Sequence, residues 1–509
     1  MQQRRTEQHT SEASGRRRPA ARALFRLGVI AAALLGIVSG VIALRIQAAN
    51  SFQSTGSLPA SLRLPGEMRL LVISPHPDDE TLGCGGLIAR VRGSGGQARV
   101  VFLTNGDAFK VAASREERKI RPTPQDLIDF GAERQREAML AGMRLGLKPS
   151  ELLFLGFPDR GLTRLWTGNW AVPFTSGYTG VSQCPYRLAY RPGAPYTGQE
   201  LLRILSEVIS EWRPTLICVP GPLDDHPDHY AAYAFTTAAV ADLEMRGRFP
   251  EGRPRLMTYL IHRGQWPAPR GPAPSRPLAP PQPLMTVGTH WEVFPLRPHE
   301  ISAKQAAIEE YRSQTAVMGS FLRSFVRSSE LYGREPVRAV AAVPDGLLIG
   351  LDGRAAVWET IEAQAPSPEA DTVGRALRRG ADITGLSVAR DSHNVYLRMQ
   401  TAGSRGKGVS ARLQVRSLGP DGFRGMEVTV SAAGKVQPPG ILATWRGQAL
   451  EVAIPAGRLG DASLVWVGAS THYLGFTVDK TGWHQLEMPG RVITARKTTP
   501  RVPARLPAG

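Results

Sequence analysis

The run Pro75-His76-Pro77-Asp78-Asp79-Glu80 gathers one imidazole and three carboxylates, and Asp224-Asp225-His226-Pro227-Asp228-His229, about 150 residues later, gathers two imidazoles and three carboxylates. Neutral imidazole and carboxylate suit zinc, and a hydrolytic zinc site uses three protein ligands while leaving a fourth position for water. His76 and Asp79 stand three residues apart at a strand-to-helix turn, a spacing that points both side chains to one side. His229 is the candidate third ligand. Asp78, beside Asp79, is placed to take a proton from water. His226 would sit opposite, stabilising an oxyanion or protonating a leaving amine. Asp228 would hold a histidine ring through its second nitrogen. A single His-Pro-Asp is often only a turn; the joint occurrence of two such clusters is what points to a metal. His262, His290, His299, His393, His472 and His484 read as surface or packing residues.

Each cluster follows an apolar run, Leu70-Leu71-Val72-Ile73 or Leu216-Ile217-Cys218-Val219, and the first leads into the glycine-rich Leu82-Gly83-Cys84-Gly85-Gly86. A strand running into polar residues and then a helix places them at the carboxyl end of a sheet, where open α/β folds bind ligands. From Met68 onward short apolar runs alternate with helical periodicity, which predicts an α/β fold: a Rossmann-like, mostly parallel sheet with helices on both faces. Strands are expected at 69–74, 98–104, 152–155, 215–219 and 256–262, and helices at about 80–92, 127–146, 198–212, 228–246 and 300–327. Two long loops interrupt this core. The first, 158–197, carries Trp166, Trp170, Phe174, Tyr178, Tyr186, Tyr190 and Tyr196, which suit sugar rings or packing equally. The second, Pro267 to Pro283, reads as a stiff, exposed excursion without chemistry.

Further segments occur in order: Thr104-Asn105-Gly106-Asp107, Glu133-Arg134-Gln135-Arg136-Glu137, Leu155-Gly156-Phe157-Pro158-Asp159, and Lys304 through Tyr311-Arg312-Ser313-Gln314. With the two clusters, they make residues 68 to 325 resemble the PIG-L/LmbE-like zinc N-deacetylases, which remove acetyl from N-acetylglucosamine-type sugars. The resemblance implies His76, Asp79 and His229 as zinc ligands, Asp78 as general base and His226 as electrostatic partner. The aromatic loop and the proline insertion have no counterpart in the family pattern, and they leave the acceptor molecule open.

The 509 residues exceed one compact core. The expected organisation is a basic amino-terminal arm (1–26), a transmembrane or signal-anchor helix (27–44), a stalk (45–66), an LmbE-like domain (67–335), an all-β sandwich (336–490) and a basic disordered tail (491–509). The sandwich is read from alternating stretches such as Val395–Met399, Ala411–Val415, Met426–Val430 and Leu450–Ile454. It is faintly similar to DOMON-like and carbohydrate-binding modules. Leu27 to Leu44 carries no charge and is preceded by an arginine excess, which predicts an extracytoplasmic catalytic part, membrane-anchored or secreted after cleavage. The formal net charge of +18 favours an anionic neighbour. No nucleic-acid motif accompanies it, so nucleic acid is not an expected partner. Cys84, Cys184 and Cys218 are odd in number and form no disulfide framework; Cys84 and Cys218 sit in apolar settings and read as core. The function expected is zinc-dependent removal of acetyl from an N-acetylated sugar in a glycolipid, glycan or polysaccharide. The rivals are a zinc amidase on a thiol conjugate or other small amide, and a non-catalytic glycan-binding envelope protein.

Overall fold

The computed structural model describes residues 28–29, 32–40, 59–62, 64, 68–346, 356–367 and 373–488. The arm at 1–26 and the tail at 491–509 lie outside the described residues, as do residues 27, 30–31 and 41–44 of the 27–44 span and most of the 45–66 stalk. No helix among the described residues is long and apolar enough to cross a membrane, so the expected transmembrane helix has no support in this fold. The end of the expected stalk is not a tether: Ala60 and Ser61 pair in parallel with Glu292 and Val293, and Leu62 is buried.

The first unit is built on the strands Ala60–Ser61 (β1), Arg69–Ser74 (β2), Gln97–Thr104 (β3), Leu152–Phe157 (β4), Leu216–Pro220 (β5), Arg255–Tyr259 (β6), His290–Pro295 (β7) and Ser329–Arg334 (β8). They form one sheet in the order β1-β7-β8-β6-β5-β2-β3-β4. Leu70 to Ile73 and Leu216 to Val219 are buried throughout, as expected of strands covered on both faces. The sheet is mixed but mostly parallel: β8 alone runs antiparallel to its neighbours, β6 and β7, while every other pairing is parallel. From β2 the chain builds outward through β3 and β4, then returns to place β5 on the other side. Neighbouring connections therefore diverge between β2 and β5, and a crevice opens at their carboxyl ends.

Helices Asp79–Gly93 (α1) and Pro227–Met245 start at that crevice, and the expected helix 300–327 is two, Pro298–Glu310 and Arg312–Arg323. Helix Gly198–Trp212 is capped by Thr197, whose side chain accepts from Glu200 N, and it ends at Arg213 in a left-handed conformation (φ 51°) before Pro214. The glycine-rich start of α1 is a packing requirement. A Cβ on Gly83 would lie 2.5 Å from the Tyr259 ring, and one on Gly86 would lie 2.4 Å from Leu296. Buried Lys304 locks the same helix, donating to Leu82 O (2.8 Å) and Glu330 Oε1 (2.7 Å), while Glu330 accepts from Gly86 N and Leu87 N.

The carboxy-terminal region is β-rich, with two largely antiparallel sheets of six and seven strands. The predicted alternating stretches lie within Asn394–Thr401, Val409–Gly419, Gly422–Val430 and Ala449–Pro455, whose inward side chains share one core. The region packs on the α/β unit through the aromatic loop. Trp166 meets Trp466 at 6.0 Å and Trp483 at 5.8 Å, Trp170 meets Phe423 at 5.5 Å, and Trp466 Nε1 donates to Thr237 Oγ1 at 2.8 Å. Of the two readings of these aromatics, packing is therefore the one realised. The proline segment is also less exposed than expected: Pro267, Leu278, Ala279, Pro280 and Pro281 are buried against the α/β unit.

Candidate metal centre and active site

The end of β2 is bent into a tight, strained turn. Asp78 has φ 118°, a region rare for a residue with a side chain, and it precedes α1. Several bonds hold it there: Ser74 Oγ donates to His76 O (2.7 Å), Asp78 N donates to Glu80 Oε2 (3.1 Å), and Tyr311 donates to Glu80. At the end of β5, Asp224 builds the second turn. Its Oδ1 accepts from His226 N, and its Oδ2 accepts from Ile261 N and His262 N, each at 2.9 Å.

The two turns bring remote residues together. His76 Nδ1 lies 3.0 Å and His229 Nε2 3.1 Å from the same oxygen, Asp79 Oδ2, and the two rings are 5.4 Å apart. Donor atoms at this spacing can share one ion with bonds of about 2 Å. His76, His226 and His229 also group closely enough to hold an ion, as do Asp79, His229 and His262. Both ring nitrogens of His229 and Nε2 of His76 are buried yet in no hydrogen-bond geometry, although carboxylate oxygens stand 3.1–3.3 Å away. Buried donors and acceptors are seldom left over in this way. The residues fit a divalent cation.

The surroundings prepare these groups. Burial works against ionisation of Asp79, but His229 and His76 outweigh it and hold the carboxyl well below its usual range. Burial likewise opposes a charged His229, while Asp224 and Asp79 bring it up to about 9. Asp78 is pushed up to about 8 by burial, with the Arg134 charge pulling the other way. Arg134 Nη2 reaches Asp78 Oδ2 at 3.1 Å, and Nη1 donates to Gly106 O at 3.1 Å. The backbone N of Asp228 donates to His226 Nδ1 at 3.2 Å, so neutral His226 carries its proton on Nε2. Burial first, and then His76, His229 and His262, hold His226 well below its ordinary value, in the neutral form.

Asp228 is fully buried and accepts from Arg160 N (2.6 Å) and Leu162 N (3.1 Å), with His76 Nε2 at 3.5 Å. It stands near His76 without a hydrogen bond to it, and Asp159 Oδ1 is nearer, at 3.3 Å. His262, read above as surface or packing, lies in the site, 4.9 Å ring to ring from His229. Burial lowers it to about 4. Three further members escaped the sequence reading of site residues: Asp159, Asp224 and Arg134. Each had a signal. Asp159 and Asp224 follow strand ends, and Arg134 is a cation on the apolar stripe Leu127, Phe130, Ala138 and Ala141, which demands a buried partner. The pocket holds about 170 Å³ and has apolar walls from Phe109, Met318 and Phe321. No aromatic residue of the 158–197 loop lines it.

Residues 71–240, which carry both turns, match the family model described as PIG-L: GlcNAc-PI de-N-acetylase. This segment is a PIG-L family domain. A relative from Saccharomonospora viridis, named 1D-myo-inositol 2-acetamido-2-deoxy-alpha-D-glucopyranoside deacetylase, is 32% identical over 173 residues, 34% of this chain and 57% of its own length. A protein of the same name from Tsukamurella paurometabola is 29% identical over 178 residues, 34% of this chain and 54% of its own. The chain thus spans about half the length of the curated relatives it matches. Among solved structures, the N,N'-diacetylchitobiose deacetylase from Pyrococcus horikoshii is similar at 18% identity, with a TM-score of 0.32, over 52% of this chain and 82% of that one. The PIG-L domain lies within the α/β unit, and the β-rich region after it is a separate part of the chain.

Proposed function

We propose that the PIG-L domain hydrolyses the acetamide of an N-acetylglucosamine-type sugar carried on a glycolipid, glycan or polysaccharide, releasing acetate and a free amine. The observation that carries this is the convergence of His76 and His229 on one oxygen of Asp79, beside an Asp78 gripped by Arg134 and a His226 with its proton on Nε2. His76, Asp79 and His229 would hold a zinc ion, which supplies Lewis acidity toward a carbonyl and makes water acidic near neutral pH. Asp78 accepts the proton of the attacking water and returns it to the departing nitrogen as the C–N bond breaks. His226 donates from Nε2 to the carbonyl oxygen as negative charge develops there. Asp224, Asp159 and Asp228 keep the imidazoles turned inward. The apolar wall of Phe109, Met318 and Phe321 receives the acetyl methyl and the sugar face.

The test is acetate release from a panel of N-acetyl glycans by the chelator-stripped protein, before and after zinc is returned. Zinc-restored release from acetamido sugars, but not from simple amides, is the expected result. Bound zinc without hydrolysis of any acetylated sugar sinks the proposal and favours a binding role; amine release from other amides instead favours a general amidase.

A further inference from the structure

The seam between the α/β unit and the β-rich region holds a cavity of about 280 Å³ that the proposed reaction does not use. One wall of it is Arg416, which is 4% exposed. This residue lies on strand Val409–Gly419, and its guanidinium reaches across the seam: Nε and Nη2 donate to Trp166 O at 3.0 and 2.5 Å, and Cζ stands 3.8 Å from the centre of the Trp170 ring. A carbonyl dipole and a ring face are attractive to a cation but do not cancel its charge. No carboxylate among the described residues pairs with Arg416, and burial pulls its pKa down to about 9. Buried charges are ordinarily paired. The residue opposite Arg416 in the neighbouring strand is Gly425, where a Cβ would stand 2.9 Å from Nη2 and 3.3 Å from Nη1. Glycine thus leaves that edge of the guanidinium open, and both residues line the cavity. Nη1 makes no hydrogen bond among the described residues.

The charged side chains lining the cavity are Arg164, Arg412, Arg416 and one acid, Glu427. Glu427 is already engaged: Gln414 Nε2 donates to its Oε2 at 2.6 Å, and Arg412 Nη1 stands 4.0 Å from its Oε1. Arg164 is exposed and makes no ion pair among the described residues. Acids on the adjoining strands are held elsewhere. Asp421 stands 3.6 Å from Arg424, while Asp479 accepts from Ile383 N at 2.6 Å and lies 3.4 Å from Arg375. His472, near Arg412 and Glu427, is kept toward its neutral form by burial. On the α/β side, residues 160–199 include no acidic residue at all. Three guanidiniums therefore line this space against one carboxylate.

We propose that the cavity is an anion site that takes the carboxylate or phosphate of a small acid, a sugar acid or a sugar phosphate, with Arg416 Nη1 donating from the buried side and Arg164 and Arg412 from the exposed side. The planar guanidinium fork suits both oxyanions, since it can donate to two oxygens at once. Such a ligand supplies the negative charge that the buried Arg416 lacks. It also touches both units, because Arg164 belongs to helix Leu162–Trp166 of the first and the other two arginines to the β-rich region.

Isothermal titration of the full chain at constant ionic strength should show inorganic phosphate and glucuronate each binding at this site, and glucose, which has the ring without the charge, not binding there. Arg416→Gln should weaken that binding about 10–100-fold, the range for hydrogen bonds to charged groups. Because this change also removes a contact of the seam, Arg164→Glu and Arg412→Glu, both at exposed side chains, serve as independent variants, each expected to weaken binding about tenfold. Arg424→Glu makes the same charge change outside the cavity, at a residue beside Asp421, and should leave binding as it was. Binding of phosphate alone assigns the site to phosphate esters, and binding of glucuronate alone assigns it to sugar acids. Absence of binding for both anions, binding unchanged in Arg416→Gln or in both Arg164→Glu and Arg412→Glu, or an equal loss in Arg424→Glu overturns the proposal.

Discussion

Two clusters among the described residues carry the residue types of a metal site, and they differ in what the backbone leaves unused. In the β-rich region Asp345, Asp391 and His393 come together at the turn between strands Ile383–Arg390 and Asn394–Thr401. There Asp391 Oδ1 accepts from His393 N and Asn394 N, its Oδ2 accepts from Tyr396 (2.7 Å), and Asp345 Oδ1 accepts from Ser392 N. The carboxylates are consumed in holding the turn, and Asp345 and His393 face solvent. In the PIG-L domain the carboxylates also brace turns, yet His229 keeps both ring nitrogens outside hydrogen-bond geometry in a fully buried position. Ligand-type residues make a candidate site where lone pairs remain after the turn is satisfied, and a turn where they do not.

That contrast breaks most visibly at His229. His229→Ala should abolish zinc binding and lower turnover by about 10⁴-fold or more, since it removes a ligand and the charge stabilisation it supports; metal analysis showing full zinc occupancy in the variant would end the three-ligand assignment. Asp78→Asn is expected to retain zinc and lose about 10²–10⁴-fold in kcat, the range for removal of a general base. Equal metal loss in both variants would contradict the division of roles. Asp224→Asn, one step behind His229, should cost about 10–100-fold in zinc affinity or activity, and isothermal titration reads it directly. By the same reasoning Asp391→Ala leaves zinc content and turnover untouched while lowering stability by about 1–2 kcal/mol through lost turn hydrogen bonds. A change in zinc content there would erase the distinction between the two clusters.

A smaller effect tests the electrostatics around the site. Asp107, buried and hydrogen-bonded by Tyr186 at 2.6 Å, is pushed up to about 7 by burial and by the charge of Asp159. It binds a proton more tightly in the folded state than in the unfolded one, where its pKa is about 4. Its contribution to stability is therefore complete below about pH 4 and is lost as pH rises through 7. Asp107→Asn should flatten that slope, so that from pH 5 to pH 8 the parent loses about 1–3 kcal/mol more than the variant; parallel denaturation curves across this range would refute the shift.

Much of this was legible before folding. The β2 and β5 runs, both clusters and most helix limits follow from periodicity, capping and proline stops, all local properties. What was not legible depends on partners far along the chain. The antiparallel pair His290–Pro295 and Ser329–Arg334 carries charges such as Glu292 and Glu330 that obscure a strand pattern; Glu292 is met by Arg255 and Arg334, and Glu330 by Lys304, the α1 backbone and the Tyr332 hydroxyl. His262 looked unremarkable because nothing adjacent marks it; β6 ends two residues before the binding pocket and delivers it there.

The sequence by itself determined the donor set, its division between two strand ends and the turns that present it, because each rests on contacts within a few residues. Only the tertiary structure decided that β2 and β5 lie side by side, so that His76 and His229 face one oxygen of Asp79. It also decided that Trp166 and its neighbours hold the β-rich region rather than a substrate. Adjacency of strands is fixed by which apolar faces bury against each other across the whole chain, and no local pattern encodes that choice.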